Sequence, residues 1–302
     1  MPAAETGPPP SDLSTDLSGL DALELAEGPK VGRMKQFWDR VWPRLAAIGL
    51  ALAIWQIAVW TKWRPDYLLP PPATVFKRLF VDFVGTKGTD SPVVDAGLLG
   101  EAISVTMTRA AAGFLLALVI GSLIGMAVAS SKHVRSAIGS FISGLQTMPS
   151  IAWFPLAVLL FQLGESPIMF VVVLGAAPAI ANGLLSGVDH IPPVLLRAGR
   201  VMGARGLTAF RHVIFPAALP SYVAGLKQGW AFSWRSLMAA ELLSAQINRP
   251  SIGVKMSHAQ SLADADGLLA TMIVILVLGI AVNALVFDRL GSVIRSRRGL
   301  AA

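Results

Sequence analysis

The stretch from Val194 to Pro220 is polar and basic, and strongly apolar segments flank it on both sides. Apolar residues recur near its start at helical spacing, with arginines between them. Gly203 and Gly206 then interrupt the pattern in the way that a helix stop or a tight turn does. The sequence predicts two short helices around a glycine turn, a shape that can dock into a groove on a partner protein. The arginines are Arg197, Arg200 and Arg205.

A second group of chemically notable residues lies within an apolar run. Arg235 falls inside the predicted span 221–243, where a charge costs on the order of several kcal/mol unless it is paired or faces water. One interpretation is that Arg235 faces a central cavity and attracts an anion, with Trp230 and Trp234 shaping the wall nearby. The alternative is an arginine that snorkels to the membrane surface or pairs with Glu241 to hold the helix. Arg109, in an earlier span, is a second candidate for an anion pathway.

The sequence lacks the usual signatures of catalysis and metal binding. It has no cysteine, which excludes disulfides, thiol catalysis and cysteine metal sites. It also has no HExxH motif and no GxxxxGK[ST] phosphate loop, and its four histidines do not cluster. We therefore expect no catalytic residue, no metal site and no ATPase activity in this chain.

The composition is that of a polytopic membrane protein. The chain has 302 residues, of which 54% are hydrophobic and only 14% are charged, against about 25% charged in soluble domains. Its net charge of +7 resides mainly in basic residues at the ends of apolar runs. This pattern fits membrane topology and anionic headgroups, so we expect lipid rather than nucleic acid as the partner of these charges.

Hydropathy predicts six spans, with both termini in the cytosol because basic residues are more frequent on that side. Residues 1–29 contain no basic residue and predict a disordered acidic tail. A proline-rich piece and an amphipathic helix around Val75 to Phe83 are predicted at the outer surface. An outer loop is predicted over 244–265. The predicted spans are about 45–61, 98–130, 138–163, 168–188, 221–243 and 268–290, and prolines at 149 and 155 predict a kink or break in the third.

The basic stretch resembles the cytosolic EAA loop of the membrane subunits of binding-protein-dependent ABC importers. That signature reads Glu-Ala-Ala, three residues, Gly, nine residues, Ile, any residue, Leu-Pro. Here Gly203 falls on the glycine, Val213 on the isoleucine, and Phe215-Pro216 on the final pair. The first three positions read Arg197-Ala198-Gly199, so a basic residue replaces the acidic one. The similarity extends from about Trp60 to Arg298, and the proline-rich piece resembles the nitrate, sulfonate, taurine and bicarbonate branch.

The resemblance implies an all-helical type I importer permease in the bacterial cytoplasmic membrane, working as a homodimer. It implies two ATPase subunits beneath, which bind ATP and Mg, and an external solute-binding protein above; this chain would bind no cofactor itself. The segment 190–216 would couple the ATPases to the spans by alternating access. In this coupling segment the apolar and small residues would pack in a groove of the ATPase, while Arg197 and Arg200 pair with its acidic residues. The implied coupling residues are Leu196, Arg197, Ala198, Gly199, Arg200, Met202, Gly203 and Pro216.

The expected substrate is a small organic anion, with an alkanesulfonate favoured over nitrate, taurine, bicarbonate or a vitamin precursor. Two other classes of protein stay open. A proton- or sodium-driven transporter would need a membrane-embedded acid, and Glu241 is the one plausible candidate. A membrane-bound enzyme or sensor would need a clustered polar site, which the sequence does not display.

Overall fold

The computed structural model describes residues 33–84, 98–130, 132–244 and 249–296, and these residues form helices, turns and short connections without a strand. The predicted acidic tail 1–29 lies outside the described residues. The chain divides into two compact units, residues 1–60 and 61–302. The first contains the helix α1 (Arg33–Trp60). In the second, the described helices are α2 (Pro72–Val84), α3 (Leu98–Ser130), α4 (Lys132–Thr147), α5 (Phe154–Phe161), α6 (Glu165–Asp189), α7 (Pro193–Val201), α8 (Gly206–Ala209), α9 (Phe215–Leu243), α10 (Ile252–Ser261), α11 (Ala265–Val282) and α12 (Arg289–Ser296).

Several of these helices are long and apolar enough to cross a membrane. Within the described residues, four segments qualify alone, and they coincide with the first, second, fourth and sixth predicted spans. Helix α9 coincides with the fifth, and its 29 residues extend about 44 Å at about 1.5 Å per residue. It is less apolar than the others because it carries Lys227, Arg235 and Glu241. The total of six spans stays a prediction. The four segments are Val41–Trp60, Leu99–Ala129, Glu165–Asp189 and Ala265–Ile294.

The third predicted span is a broken helix. Its two halves, Ala137–Thr147 and Ser150–Phe161, meet at an angle of 96°. Pro149 lies in the break, and Pro155 lies in the first turn of α5. A proline has no N–H to donate and disfavours helical backbone in the residue before it, so each position suits the end or start of a helix. The break turns residues 145–151 towards α9.

The segment 244–265, predicted as an outer loop, contains the helix α10. Ser251 caps it, because its Oγ accepts a hydrogen bond from the Val254 N–H at 3.3 Å. Ile252 is fully buried, so α10 is part of the packed bundle. The sequence did not reveal this helix, since its ten residues mix polar and apolar types without a clear helical period.

Helices α6 and α9 pack with their backbones in contact. A Cβ placed on Gly183 would lie 2.4 Å from the Cα of Gly225, and one placed on Gly187 would lie 2.7 Å from the carbonyl oxygen of Ala218. Only small residues permit such a close approach of two backbones. Helices in a lipid bilayer often associate through such contacts, because the hydrophobic effect does not drive them together there. The pairing of these two helices forms the scaffold for the rest of the second unit.

A buried ion pair joins α9 to two other long helices. Arg109 on α3 donates from Nη1 to Oε1 of Glu241 at 3.0 Å, and from Nε to Oε2 of Glu165, at the start of α6, at 2.7 Å. Glu241 is fully buried and Arg109 is 5% exposed. Burial on this scale is tolerated only when every charge has a partner. We call the group of Thr106, Arg109, Glu165 and Glu241 the clasp.

The clasp also holds α10. Thr106 Oγ1 donates to Oε2 of Glu241 at 3.0 Å, and the Gly253 N–H donates to the same oxygen at 3.1 Å. The Ile252 N–H in turn donates to Thr106 Oγ1 at 3.0 Å. A Cβ on Gly253 would lie 2.3 Å from the Cβ of Glu241, so only glycine brings this N–H to the carboxylate. The first turn of α10 is thereby fixed to α3 and α9.

We predict that Gly183→Ala destabilises the protein by at least about 2 kcal/mol, because the new Cβ collides with the backbone of α9. This outcome opposes helix propensity, which favours alanine by about 0.5–1 kcal/mol. Thermal unfolding in detergent measures the effect. Gly144→Ala is the matched control, since a Cβ there meets nothing within 4 Å. Equal melting temperatures for the two variants would contradict the close packing of α6 and α9.

We also predict that Glu241→Gln costs about 3 kcal/mol, because it leaves the buried guanidinium of Arg109 with one carboxylate in place of two. The control is Asp189→Asn, which removes the acidic partner of Arg135 in a half-exposed ion pair and should cost about 1 kcal/mol or less. Denaturant unfolding followed by tryptophan fluorescence compares them. A Glu241→Gln loss no larger than that of the control would show that the clasp does not hold the bundle.

Candidate functional site

The helix α7 spans Pro193–Val201 and ends just before Gly203, where the sequence predicts a helix stop or tight turn. Pro193 is in its first turn, where the missing N–H costs nothing. At the other end Gly203 has a φ of +82°. The Ala204 N–H donates to the Gly199 carbonyl at 2.9 Å and the Gly203 N–H donates to the Arg200 carbonyl at 3.1 Å. This pair of bonds is a Schellman motif, and it requires a left-handed residue at the position of Gly203.

An exposed apolar surface extends from α7 across the turn after it into α8. Val201 is 89% exposed, Met202 78% and Leu207 81%. Val194 is exposed as well, and it lies on the same face of the helix as Val201 because seven residues are close to two helical turns. We call these four residues the α7 patch. A rigid helix end that presents large apolar side chains beside arginines is suited to a protein partner.

The small residues of α7 have different surroundings from those that the resemblance implied. Gly199 is buried, and a Cβ on it would lie 2.9 Å from Cγ2 of Val213, in the π-helical turn Phe210–Ile214 before α9. The expectation that Gly199 packs in a partner's groove is therefore wrong, because its close approach is within the chain. Leu196 is half-buried, while Ala198 is exposed. Pro216 is in the first turn of α9 and is half-buried.

The arginines of α7 point away from the bundle. Arg197 and Arg200 are exposed, and Arg200 Nε donates to the Leu196 carbonyl at 3.3 Å. Within the described ranges, no ion pair within 4 Å is formed by either guanidinium. Their charges are available to a partner.

Arg235 lines a cavity of about 310 Å³ between the break in the third span and α9. The side chain is exposed, its Nε donates to the Ala231 carbonyl at 3.0 Å, and its Cζ lies 5.1 Å from the ring centre of Phe232. These contacts fix the guanidinium and leave both Nη groups without an acceptor among the described residues. The lining contains no carboxylate; it comprises Leu145, Gln146, Thr147, Met148, Pro149, Ser150, Ile151, Gly175, Phe232, Arg235, Ser236 and Ala239.

The two tryptophans predicted beside Arg235 lie elsewhere. Trp230 and Trp234 are 6% and 8% exposed and are stacked on each other, 6.1 Å apart. Trp230 also packs on Phe114 and Phe287. Trp234 directly precedes Arg235 in the sequence, but successive helical residues point about 100° apart, so Trp234 faces the core. The prediction that these tryptophans shape the wall of the cavity is wrong.

The structure places Glu241 and Arg109 in the clasp, and a pathway role for them stays a prediction. Glu241 does not pair with Arg235, because Arg109, Thr106 and Gly253 occupy its carboxylate. Glu241 is fully buried and does not belong to the lining of the Arg235 cavity. Arg109 borders a separate cavity of about 380 Å³ with Glu165 and Arg249. Its guanidinium already donates to the carboxylates of Glu165 and Glu241. These two residues hold helices together.

Sequence reasoning missed Gln146, Ser150 and Ser236 in the Arg235 cavity. Ser150 and Ser236 form a hydroxyl pair at 2.5 Å, packed on Gly175. The signal that could have found the first two was Pro149, because a predicted break in a span is where polar backbone and side chains turn inward.

Comparison with known proteins agrees with this architecture. Residues 92–297 match the family described as binding-protein-dependent transport system inner membrane component. A putative ABC transporter permease of Methanocaldococcus jannaschii is 30% identical over 80% of this chain and 86% of its own length. The taurine transport system permease of Escherichia coli is 27% identical over 82% and 87%, and the nitrate import permease of Synechocystis is 31% identical over 65% and 70%.

Solved structures show the same fold. The permease fold seen in inward-facing conformations of the MetNI methionine ABC transporter superposes with a TM-score of 0.55 at 17% identity, covering 65% of this chain and 96% of that one. The family match and the permease relatives make this chain a multi-pass inner-membrane transport subunit, not an enzyme. It belongs to the family of binding-protein-dependent ABC importer permeases.

Proposed function

We propose that this chain forms the transmembrane pathway of an ATP-driven importer for a small organic anion, with an alkanesulfonate as the favoured substrate. The observation that carries the proposal is Arg235, an unpaired and exposed cation in a cavity whose described lining has no carboxylate. A cation held in this way inside a membrane protein favours an anion by charge alone. Relatives named for taurine, aliphatic sulfonates and nitrate support an anionic substrate.

The apolar side of the same cavity favours an organic anion over an inorganic one. Leu145, Met148, Ile151 and Phe232 border the space beside the guanidinium. Nitrate or bicarbonate has no apolar substituent to place there, whereas an alkanesulfonate does. A proton- or sodium-coupled transporter is the weaker proposal, because Glu241 is fully buried and already accepts three donors.

The α7 patch supports a second part of the proposal, docking to a cytosolic ATPase. Met202 and Val201 would fill an apolar groove, and Arg197 and Arg200 would pair with acidic residues at its rim. ATP and Mg would be bound by that ATPase, not by this chain. Two copies of the permease would enclose the pathway, and an external solute-binding protein would deliver the substrate.

ATP-driven movement of the ATPases would reach the cavity through the chain itself. The α7 helix packs on the π-helical turn at Val213, and this turn leads directly into α9, which carries Arg235. Closure of the ATPases would move α7 and tilt α9, opening the cavity first to one side of the membrane and then to the other. The free energy of the ATPase's contacts with the α7 patch would then favour one position of α9 over the other.

We predict that Met202→Asp lowers capture of the cognate ATPase subunit at least about tenfold, because a charge replaces an anchor in a desolvated groove. The folded permease should keep its melting temperature, since Met202 is 78% exposed. Co-purification and transport-coupled ATP hydrolysis in proteoliposomes measure the effect. Met202→Leu is the control and should retain both. Normal capture of the ATPase by Met202→Asp would remove the patch from the docking surface.

We predict that Arg235→Gln lowers ATP-dependent uptake of ethanesulfonate about tenfold or more while the complex with the ATPase still assembles. The reason is the loss of a charge-assisted hydrogen bond to the anion. Arg289→Gln removes an equal charge from an exposed site on α12 and should transport normally. Uptake is measured in proteoliposomes supplied with the binding protein. Wild-type uptake by Arg235→Gln would exclude the guanidinium from the pathway.

A further inference from the structure

We infer that Gln146 is a second anion-binding residue of the Arg235 cavity, donating its amide N–H to the same anionic head group. The inference rests on the proposed anion pathway and adds to it a specific residue and a binding geometry. Gln146 lies in the last turn of α4, directly before the break in the third span. The break places it in the lining with Arg235, which is 89 positions away in the sequence.

The amide of Gln146 is buried without an acceptor. Its Nε2 atom is shielded from solvent, and no hydrogen-bond partner for it is found among the described residues. A buried donor left unpaired is costly, and most such groups in proteins have a partner. An N–H donor that lines a cavity and lacks an acceptor marks the place where a ligand's acceptor atom belongs.

The other polar groups of the cavity do not supply that acceptor. Thr147 Oγ1 already donates to the Gly144 carbonyl at 2.7 Å. Ser150 and Ser236 bond to each other, so between them one hydroxyl proton remains to be donated. The Nη groups of Arg235, the amide N–H of Gln146 and one serine hydroxyl are thus free to donate, and the described lining has no carboxylate to accept from them.

A set of donors without a carboxylate selects the charge and shape of the ligand. A head group with several acceptor oxygens can accept from a guanidinium and from an amide at the same time, which a sulfonate does with three oxygens. The remaining wall is apolar, with Leu145, Met148 and Phe232 beside the polar groups. The cavity therefore fits a small organic sulfonate with its head at Arg235 and Gln146 and its carbon chain on the apolar wall.

The position of Gln146 next to the break makes its distance from Arg235 depend on the angle of the bend. Gln146 lies at the end of one half of the bent pair, and Arg235 belongs to a different helix, α9. A change in the 96° bend moves the amide relative to the guanidinium. The anion then binds tightly in the conformations that bring both donors together and weakly in those that separate them, as a transport site requires.

The test is equilibrium binding of radiolabelled ethanesulfonate to the purified full-length permease in nanodiscs. Gln146→Met keeps the length of the side chain and removes the donor, so the Kd should rise about tenfold, the usual effect of losing a hydrogen bond to a charged group. Gln146→Glu places a carboxylate beside Arg235 and should abolish binding. Gln260→Met, at an exposed position on α10, is the matched control and should bind as the wild type does.

Stability without ligand separates this role from a structural one. Because Gln146→Met removes an unpaired buried amide, its melting temperature should equal or exceed that of the wild type. A weaker Kd with unchanged or higher stability supports the inference. Wild-type affinity in Gln146→Met, or a fall in affinity matched by a fall in melting temperature, overturns it. If Arg235→Gln loses binding while Gln146→Met does not, the inference fails and the proposed function stands; if neither variant changes binding, both fail.

Discussion

The buried pair of Arg109 and Glu241 is the interaction on which the rest of the second unit depends. A guanidinium and a carboxylate at 3.0 Å, one 5% exposed and the other fully buried, cannot separate without leaving an uncompensated charge in the core. The pair fixes α3 to α9, Glu165 adds the start of α6, and the Gly253 N–H adds α10. Its directional bonds set the relative rotation of these helices, which apolar packing alone leaves free.

That fixed rotation decides which side of α9 faces the cavity. With Glu241 turned into the clasp and Trp230 and Trp234 turned into the core, Arg235 is left facing the break in the third span. Gly183 and Gly225 then bring the backbones of α6 and α9 into close contact. Glu241 on the same helix is already bonded to Arg109. The charge of Arg235 is therefore left available to the cavity.

The sequence predicted the parts of this arrangement that depend on local patterns. Hydropathy located the helical segments, the prolines located the break, and the spacing of Gly203 located the left-handed turn. It did not predict the clasp, because Arg109 is 56 positions from Glu165 and 132 from Glu241, and no local pattern records such contacts. Gly199 and the tryptophans were misassigned for a related reason: periodicity gives the face of a helix on which a residue lies, but not what covers that face.

The two candidate sites are linked by one nearly continuous helical path. Gly199 of α7 contacts Val213 in the π-helical turn, and that turn continues without a break into α9, where Arg235 lies 20 residues beyond Phe215 or about 30 Å along the axis. A displacement at one end of this path is passed along α9, and Pro220 is the position in the helix that most favours a bend. Glu241, the α9 residue of the clasp, lies six residues beyond Arg235 and attaches that end of α9 to α3. Displacement at α7 would therefore swing the part of α9 between turn and clasp, and the cavity lies within that part.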